Sequence, residues 1–202
     1  AEAGIPPWGH RYRALIGAAY AAQESWPQAE ETLQAASAGY ADIVLWNNLA
    51  HVQARQGKWA DAAASYRLWA ACGVNHGEAL RNLSVACEEA GQTAEAAAAL
   101  EANAWLFPRL TMEEIKRLAV LQYHAGELGR AEDTLRRYGR IWSTATNAET
   151  VATFENLCGA IALARGNTEQ ARQWFQSALA RDPSLESARR NLDGLQARQP
   201  AR

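Results

Sequence analysis

Apolar residues recur at intervals of three and four along nearly the whole chain, with polar and charged residues between them, and no segment alternates residue by residue. That period belongs to amphipathic helices, so the sequence predicts helices throughout and no sheet. Glycines punctuate the pattern. Gly57, Gly91, Gly126 and Gly166 each close one periodic segment and precede another, and they stand 34, 35 and 40 residues apart. Self-similarity at this period marks a repeated helix pair.

The same register holds at other offsets. Five residues after each glycine stands Ala62, Ala96, Ala131 or Ala171, and four further on Tyr66, Leu100, Leu135 or Phe175. Eight before each glycine lies Leu49, Leu83, Leu118 or Cys158, followed by a small residue: Ala50, Ser84, Ala119 or Gly159. Small residues let antiparallel helices approach, and large ones fill the space between them. A degenerate first copy supplies Ile16, Gly17, Tyr20, Trp26, Ala29 and Leu33, with Glu24 where the turn glycine would be. Pro108 and Pro183 end their repeats.

This pattern resembles the tetratricopeptide repeat, whose small, large and proline positions follow the same order, and the resemblance covers nearly the whole chain. It implies an all-α fold: a solenoid of helix-turn-helix repeats wound as a right-handed superhelix, forming one domain over residues 1–202. Repeats are placed at 10–42, 43–76, 77–111, 112–151 and 152–185, with a capping helix over 186–199; the amphipathic segment 184–198 turns its Leu185, Ala188, Leu192 and Leu195 to the core. Solenoids need such polar-backed ends. Five pairs and a cap make eleven helices. About six extra residues between Arg140 and Thr150 interrupt the register.

Local signals agree with these boundaries. Thr111 with Glu114, and Asn167 with Gln170, read as capping boxes, and Pro27 after Ser25 suits a first helical turn. Glycine at each intra-repeat turn supplies the left-handed C-cap.

Composition narrows the function classes. With 49% hydrophobic and 21% charged residues the chain is a foldable, ordered protein, and its net charge of −2 lacks the basic footprint of a nucleic-acid binder. No apolar run reaches the roughly 18 residues of a membrane span. Cys72, Cys87 and Cys158 include no close-spaced pair and read as three reduced thiols, which favours the cytoplasm, with the periplasm as the alternative. The chain begins at Ala1 without an initiator Met, so an N-terminal anchor to the inner membrane or a signal peptide is a further expectation. The richness in Ala, Arg and Trp is like that of a high-GC bacterial proteome.

Enzymatic chemistry finds no support. No phosphate loop, nucleophile elbow or His-Glu-x-x-His motif occurs, and no cofactor is expected. Cys72 and His76 are four apart but have no further ligand nearby, so no metal site is expected. Cys87 and Cys158 fall at core positions and read as small buried hydrophobes. Trp26, Trp46, Trp59 and Trp174 fall where the repeat buries large groups. Trp142, in the inserted stretch, is a candidate loop contact.

In a helix-pair solenoid the first helix of each pair lines the concave surface. Register then names the groove: Asn47, Asn48, His51 and Arg55 in the second repeat; Arg81 and Asn82 in the third; Lys116, Arg117, Tyr123 and His124 in the fourth; Asn156 in the fifth. Asn can bond both the N–H and C=O of an extended peptide, while Arg and Lys hold carboxylates. Some tetratricopeptide proteins clamp a C-terminal carboxylate with two Asn, Lys and Arg. Asn82 and Arg117 match that set, whereas Asn47, His51 and Glu113 depart from it. Asn48 and Asn82 are also similar to the Asn ladders of other superhelical peptide binders. Residues 1–111 hold 11 acids against 7 bases, and residues 112–202 hold 11 against 13. The expected partner is therefore a protein or peptide with an acidic or carboxylate-bearing segment, held by a noncatalytic scaffold of a bacterial assembly serving the envelope, polysaccharide export, a pilus or secretion. The alternative is a free-standing peptide-binding chaperone or adaptor.

Overall fold

The computed structural model describes residues 7–73, 76–106, 110–143 and 147–197 of the 202. Among them eleven α-helices and no strand occur, as the periodicity predicts. They are α1 Pro7–Ala22, α2 Trp26–Ser37, α3 Ile43–Arg55, α4 Trp59–Ala71, α5 His76–Glu89, α6 Thr93–Leu106, α7 Met112–His124, α8 Leu128–Ser143, α9 Ala148–Ala164, α10 Thr168–Arg181 and α11 Glu186–Ala197. The chain divides into two compact units, Ala1–Pro108 and Arg109–Arg202. The first contains three helix pairs, α1 to α6; the second contains two pairs and the cap, α7 to α11.

Each pair turns on one left-handed residue. Gly57, Gly91, Gly126 and Gly166 have φ between 72 and 82°, and Glu24 adopts φ 57° at the same place in the first pair. A side chain in that conformation clashes with its own carbonyl, at a cost of about 1 kcal/mol or more. Glu24→Gly relieves the strain but loosens the unfolded chain, so a net gain of about 0.5 kcal/mol is expected in chemical denaturation. A lowered denaturation midpoint would contradict it.

Inside the pairs, small residues meet large ones. A Cβ on Gly17 would lie 2.6 Å from Leu33 Cγ, and one on Gly159 would lie 2.5 Å from the Phe175 ring. Leu33 and Phe175 are fully buried, as are Ala29, Leu45, Leu100, Ile115 and Ala171. Polar pairs also lock two of the hairpins. Ser65 Oγ donates to Gln53 Oε1 at 2.7 Å, and Thr134 Oγ1 donates to Gln122 Oε1 at 2.8 Å, all four residues being buried. Both pairs span twelve residues across the same turn positions. In the intervening repeat those positions are Cys87 and Ala99, and burial pushes the Cys87 thiol up to about 11.

Ion pairs tie neighbouring helix pairs together. The carboxylate of buried Glu30 accepts from Lys58 Nζ at 2.5 Å and from Gln56 Nε2 at 2.9 Å. Burial alone would raise its pKa, but these donors outweigh it and hold the group below the ordinary Glu value. Arg67 with Glu95 and Arg165 with Glu132 act similarly, while Arg181 with Glu155 joins the two helices of one pair.

The helix starts bear out only some of the capping signals. Thr111 and Glu114 form the reciprocal box. Asn167 does not: its φ −81°, ψ 66° is not the extended geometry that aims a cap side chain at the helix, and no side-chain cap bond forms. Asp42 and Asn147, unnoticed in the sequence, cap α3 and α9. The extra residues before repeat five lengthen α8 and α9 to 16 and 17 residues. Trp142 therefore lies on α8 rather than in a loop, and its side chain is outside the described residues.

Candidate partner-binding face

First helices of neighbouring pairs approach one another within the units, α3 and α5 excepted. In the first unit α1 meets α3, and in the second α7, α9 and α11 touch in succession. Among the described residues the second helices make no comparable contact. The first-helix side is thus the crowded, inner side of each unit, where the register places the candidate residues.

In the first unit Asn47 and Asn48 are half-buried on α3, and Asn82 is half-buried on α5. Among the described residues these three amides have no hydrogen-bond partner. Arg81 is exposed beside Asn82. A recess of about 150 Å³ opens between α1 and α3, lined by Arg11, Leu15, Val44, Tyr40, Asp42 and Asn48. The Tyr40 hydroxyl donates to Asp42, which raises the phenol pKa. Arg11 belongs to the degenerate first copy, outside the repeats whose register names the groove.

His51 and Arg55 are exposed but turn towards α2. The His51 ring stands edge-on to Trp26 with centroids 6.2 Å apart, and the Arg55 guanidinium lies 5.2 Å from the Trp26 centroid. Their first role is thus to hold α3 against α2 through cation–π and aromatic contact.

The second unit offers a less open set. Lys116 Nζ is 3.2 Å from Glu113 Oε1 one turn away, which offsets its charge. Arg117 is partly buried, and Tyr123 and His124 meet edge-on at 5.4 Å. Asn156 is closed: its Nδ2 donates to Ser187 Oγ at 3.2 Å, and its Oδ1 accepts from Asn191 Nδ2 at 3.0 Å. It fastens α11 to α9, with one donor and one acceptor of its amide engaged there. Arg81 belongs to one unit and Lys116 and Arg117 to the other, and each is described within its own.

A larger cavity of about 370 Å³ lies among α8, α9 and α10, walled by Leu135, Phe154, Cys158, Ile161 and Trp174. Its only trace in the sequence is the 40-residue interval between Gly126 and Gly166. Burial pushes the Cys158 thiol up to about 12, so Cys158, like Cys87, is a protonated thiol at neutral pH. All three cysteines are free, and Cys72 is exposed. Iodoacetamide at mildly alkaline pH is expected to modify Cys72 well before the other two, read by mass spectrometry of the native protein. Equal rates would contradict this. Among the described residues no cluster of three or more His, Cys, Asp or Glu could hold a metal, and no helix is long and apolar enough to cross a membrane. The His76 side chain lies outside the described residues.

A family model described as the tetratricopeptide repeat matches residues 44–67 and 156–177, which span parts of α3–α4 and of α9–α10. These two segments carry the tetratricopeptide-repeat pattern, and the helix-pair fold of the chain is that of a tetratricopeptide solenoid. Solved structures of such proteins share its fold. MamA from Desulfovibrio magneticus RS-1, residues 41 to the end, is 18% identical with a TM-score of 0.62, over 77% of this chain and 84% of that one. YrrB, described as a TPR protein with an unusual peptide-binding site, is 13% identical with a TM-score of 0.67, over 88% and 89%. A structure of Naa15/Naa10 bound to HypK-THB is 15% identical with a TM-score of 0.75, over 93% of this chain and 29% of that one. No curated protein sequence matches the chain. At these identities the likeness shows the tetratricopeptide solenoid and no more.

Proposed function

We propose that this tetratricopeptide-repeat chain is a noncatalytic scaffold that holds an extended segment of a protein partner along its first-helix face. The observation that carries this reading is the set of unpartnered amides, Asn47 and Asn48 on α3 and Asn82 on α5, Asn48 and Asn82 standing at one repeat position. An amide held in place without an internal partner offers a donor and an acceptor to a passing backbone. YrrB, with its peptide-binding site, supplies a precedent within the fold.

The segment carries an acidic or carboxylate group. Arg11 and Arg81 on the first unit's inner helices, the unit that carries these amides, provide cations for it. The assembly it serves is bacterial, in the envelope, polysaccharide export, a pilus or a secretion machine. Its place is the cytoplasm or the inner-membrane surface, with the periplasm as the alternative.

A peptide library displayed on phage and panned against the chain tests the reading. It should enrich acidic or C-terminal-carboxylate sequences whose capture is lost on Asn48→Ala with Asn82→Ala. Capture indifferent to that double variant would remove the first-helix face as the site.

A further inference from the structure

The first helix exposes a face that its counterparts bury. Tyr12, Ile16 and Tyr20 on α1 are 61%, 50% and 37% exposed, and Trp8, one turn earlier, is also open. Steps of four residues set these four side chains along one stripe of the helix. The repeat register gives the stripe its meaning. The equivalent positions on α3 are Leu45, Leu49 and Gln53, all buried, with Leu45 and Leu49 clustered against Ala29 and Leu33 of α2. On α5 they are Ala79, Leu83 and Cys87, again all buried, and α4 packs on that helix. These positions are the face on which a first helix receives the helix before it.

Charge narrows the occupant. Arg11 and Arg13 lie on either side of the stripe, and Pro7–Ala22 contains no acidic residue. Two α1 stripes laid together would therefore set arginine against arginine with no acid on either α1, Asp42 and Glu31 standing instead in the recesses that Arg11 and Arg13 line. The C-terminal helix of a second copy is no complement either, since α11 already packs its apolar face, Ala188, Leu192 and Leu195, on α9 and α10. Like charges thus disfavour the pairing of two α1 helices, and α11 has no free apolar stripe for the other arrangement.

We propose that the α1 stripe is a docking site for an amphipathic helix of a partner protein, apolar along one face and acidic at its margins. This site borders the first-helix groove at Arg11, and its apolar stripe is independent of the function proposed above. The helix α2 shows what fits: it covers the equivalent face of α3 with Ala29 and Leu33 and carries Glu30 and Glu31.

The probe is a fluorescein-labelled, hydrocarbon-stapled peptide of residues 25–40, the staple being needed because so short a helix is marginal alone in water. Fluorescence anisotropy against the intact chain should show saturable binding that weakens in high salt. Ile16→Glu, and separately Tyr12→Glu, should each weaken it by about tenfold or more, as loss of a central apolar anchor does. Both positions are exposed, so circular dichroism melts of the two variants should match the wild type. A peptide with Glu30→Lys and Glu31→Lys should bind more weakly than the native one. Absence of saturable binding, or binding that both variants retain, overturns the proposal. So does a concentration-dependent dimer lost in Ile16→Glu, which would make a second copy the occupant. Cosedimentation with phosphatidylserine vesicles that requires Ile16 would likewise replace the partner helix with a lipid surface.

Discussion

Gly159→Ala is expected to destabilise the second unit by about 2–3 kcal/mol, because the added methyl has no room. Its Cβ would stand 2.5 Å from Phe175 Cε1 and 2.6 Å from Cδ1, and that ring is fully buried against its neighbours. Either the ring leaves its rotamer or α9 and α10 separate. Phe175→Leu made alone leaves a void, but combined with Gly159→Ala it should restore part of the loss, since the two changes act on one contact. A matched control is Gly194→Ala on α11, where nothing lies within 4 Å of the new Cβ. There alanine should stabilise by about 0.5–1 kcal/mol through helix propensity. Urea denaturation of the four variants gives the comparison. Equal effects at Gly159 and Gly194 would mean that propensity, and not close approach, governs this position.

Deleting residues 186–202 should lower the melting temperature markedly and cause aggregation on heating. The cap packs Leu195 with Ala162, Ala171 and Phe175, and Ala188 with Ala152 and Ala178. Removing it also frees Asn156 from Ser187 and Asn191. Solenoid stability is a sum of local interfaces, so the exposed α9–α10 pair loses its last one. Newly bared apolar surface drives association. A truncated chain that melts where the parent does would mean that α11 is a tail rather than a cap.

What the sequence disclosed were features that act at single positions in a fixed register. A left-handed turn favours glycine at Gly57, Gly91, Gly126 and Gly166, and a close helix approach demands a small residue at Gly17 and Gly159. Such constraints write one residue type at one offset. Features that depend on which helices meet were hidden. Asn156 reads as a free donor until α11 is seen to take up its amide. His51 and Arg55 share a helix face with Asn47 and Asn48, but only the packed structure shows that Trp26 draws them aside. The buried Ser65–Gln53 and Thr134–Gln122 bonds join positions that look merely polar in the chain. Trp69, nearly inaccessible at 2% exposure, passed unremarked because no repeat copy shares its tryptophan. Glu24 shows the reverse case, where the backbone keeps its left-handed turn although the sequence signal is absent.

The most direct test of the first-helix face takes a peptide enriched by panning and measures its affinity by calorimetry for three proteins. These are the wild type, Asn48→Ala with Asn82→Ala, and the second-helix control Arg136→Glu with Arg137→Glu. Loss of each desolvated amide contact costs on the order of 1 kcal/mol, so the groove variant should bind about tenfold or more weakly while the control binds as the wild type does. Unchanged affinity in the groove variant, with loss in the control, would contradict the account and move the binding site to the second-helix side.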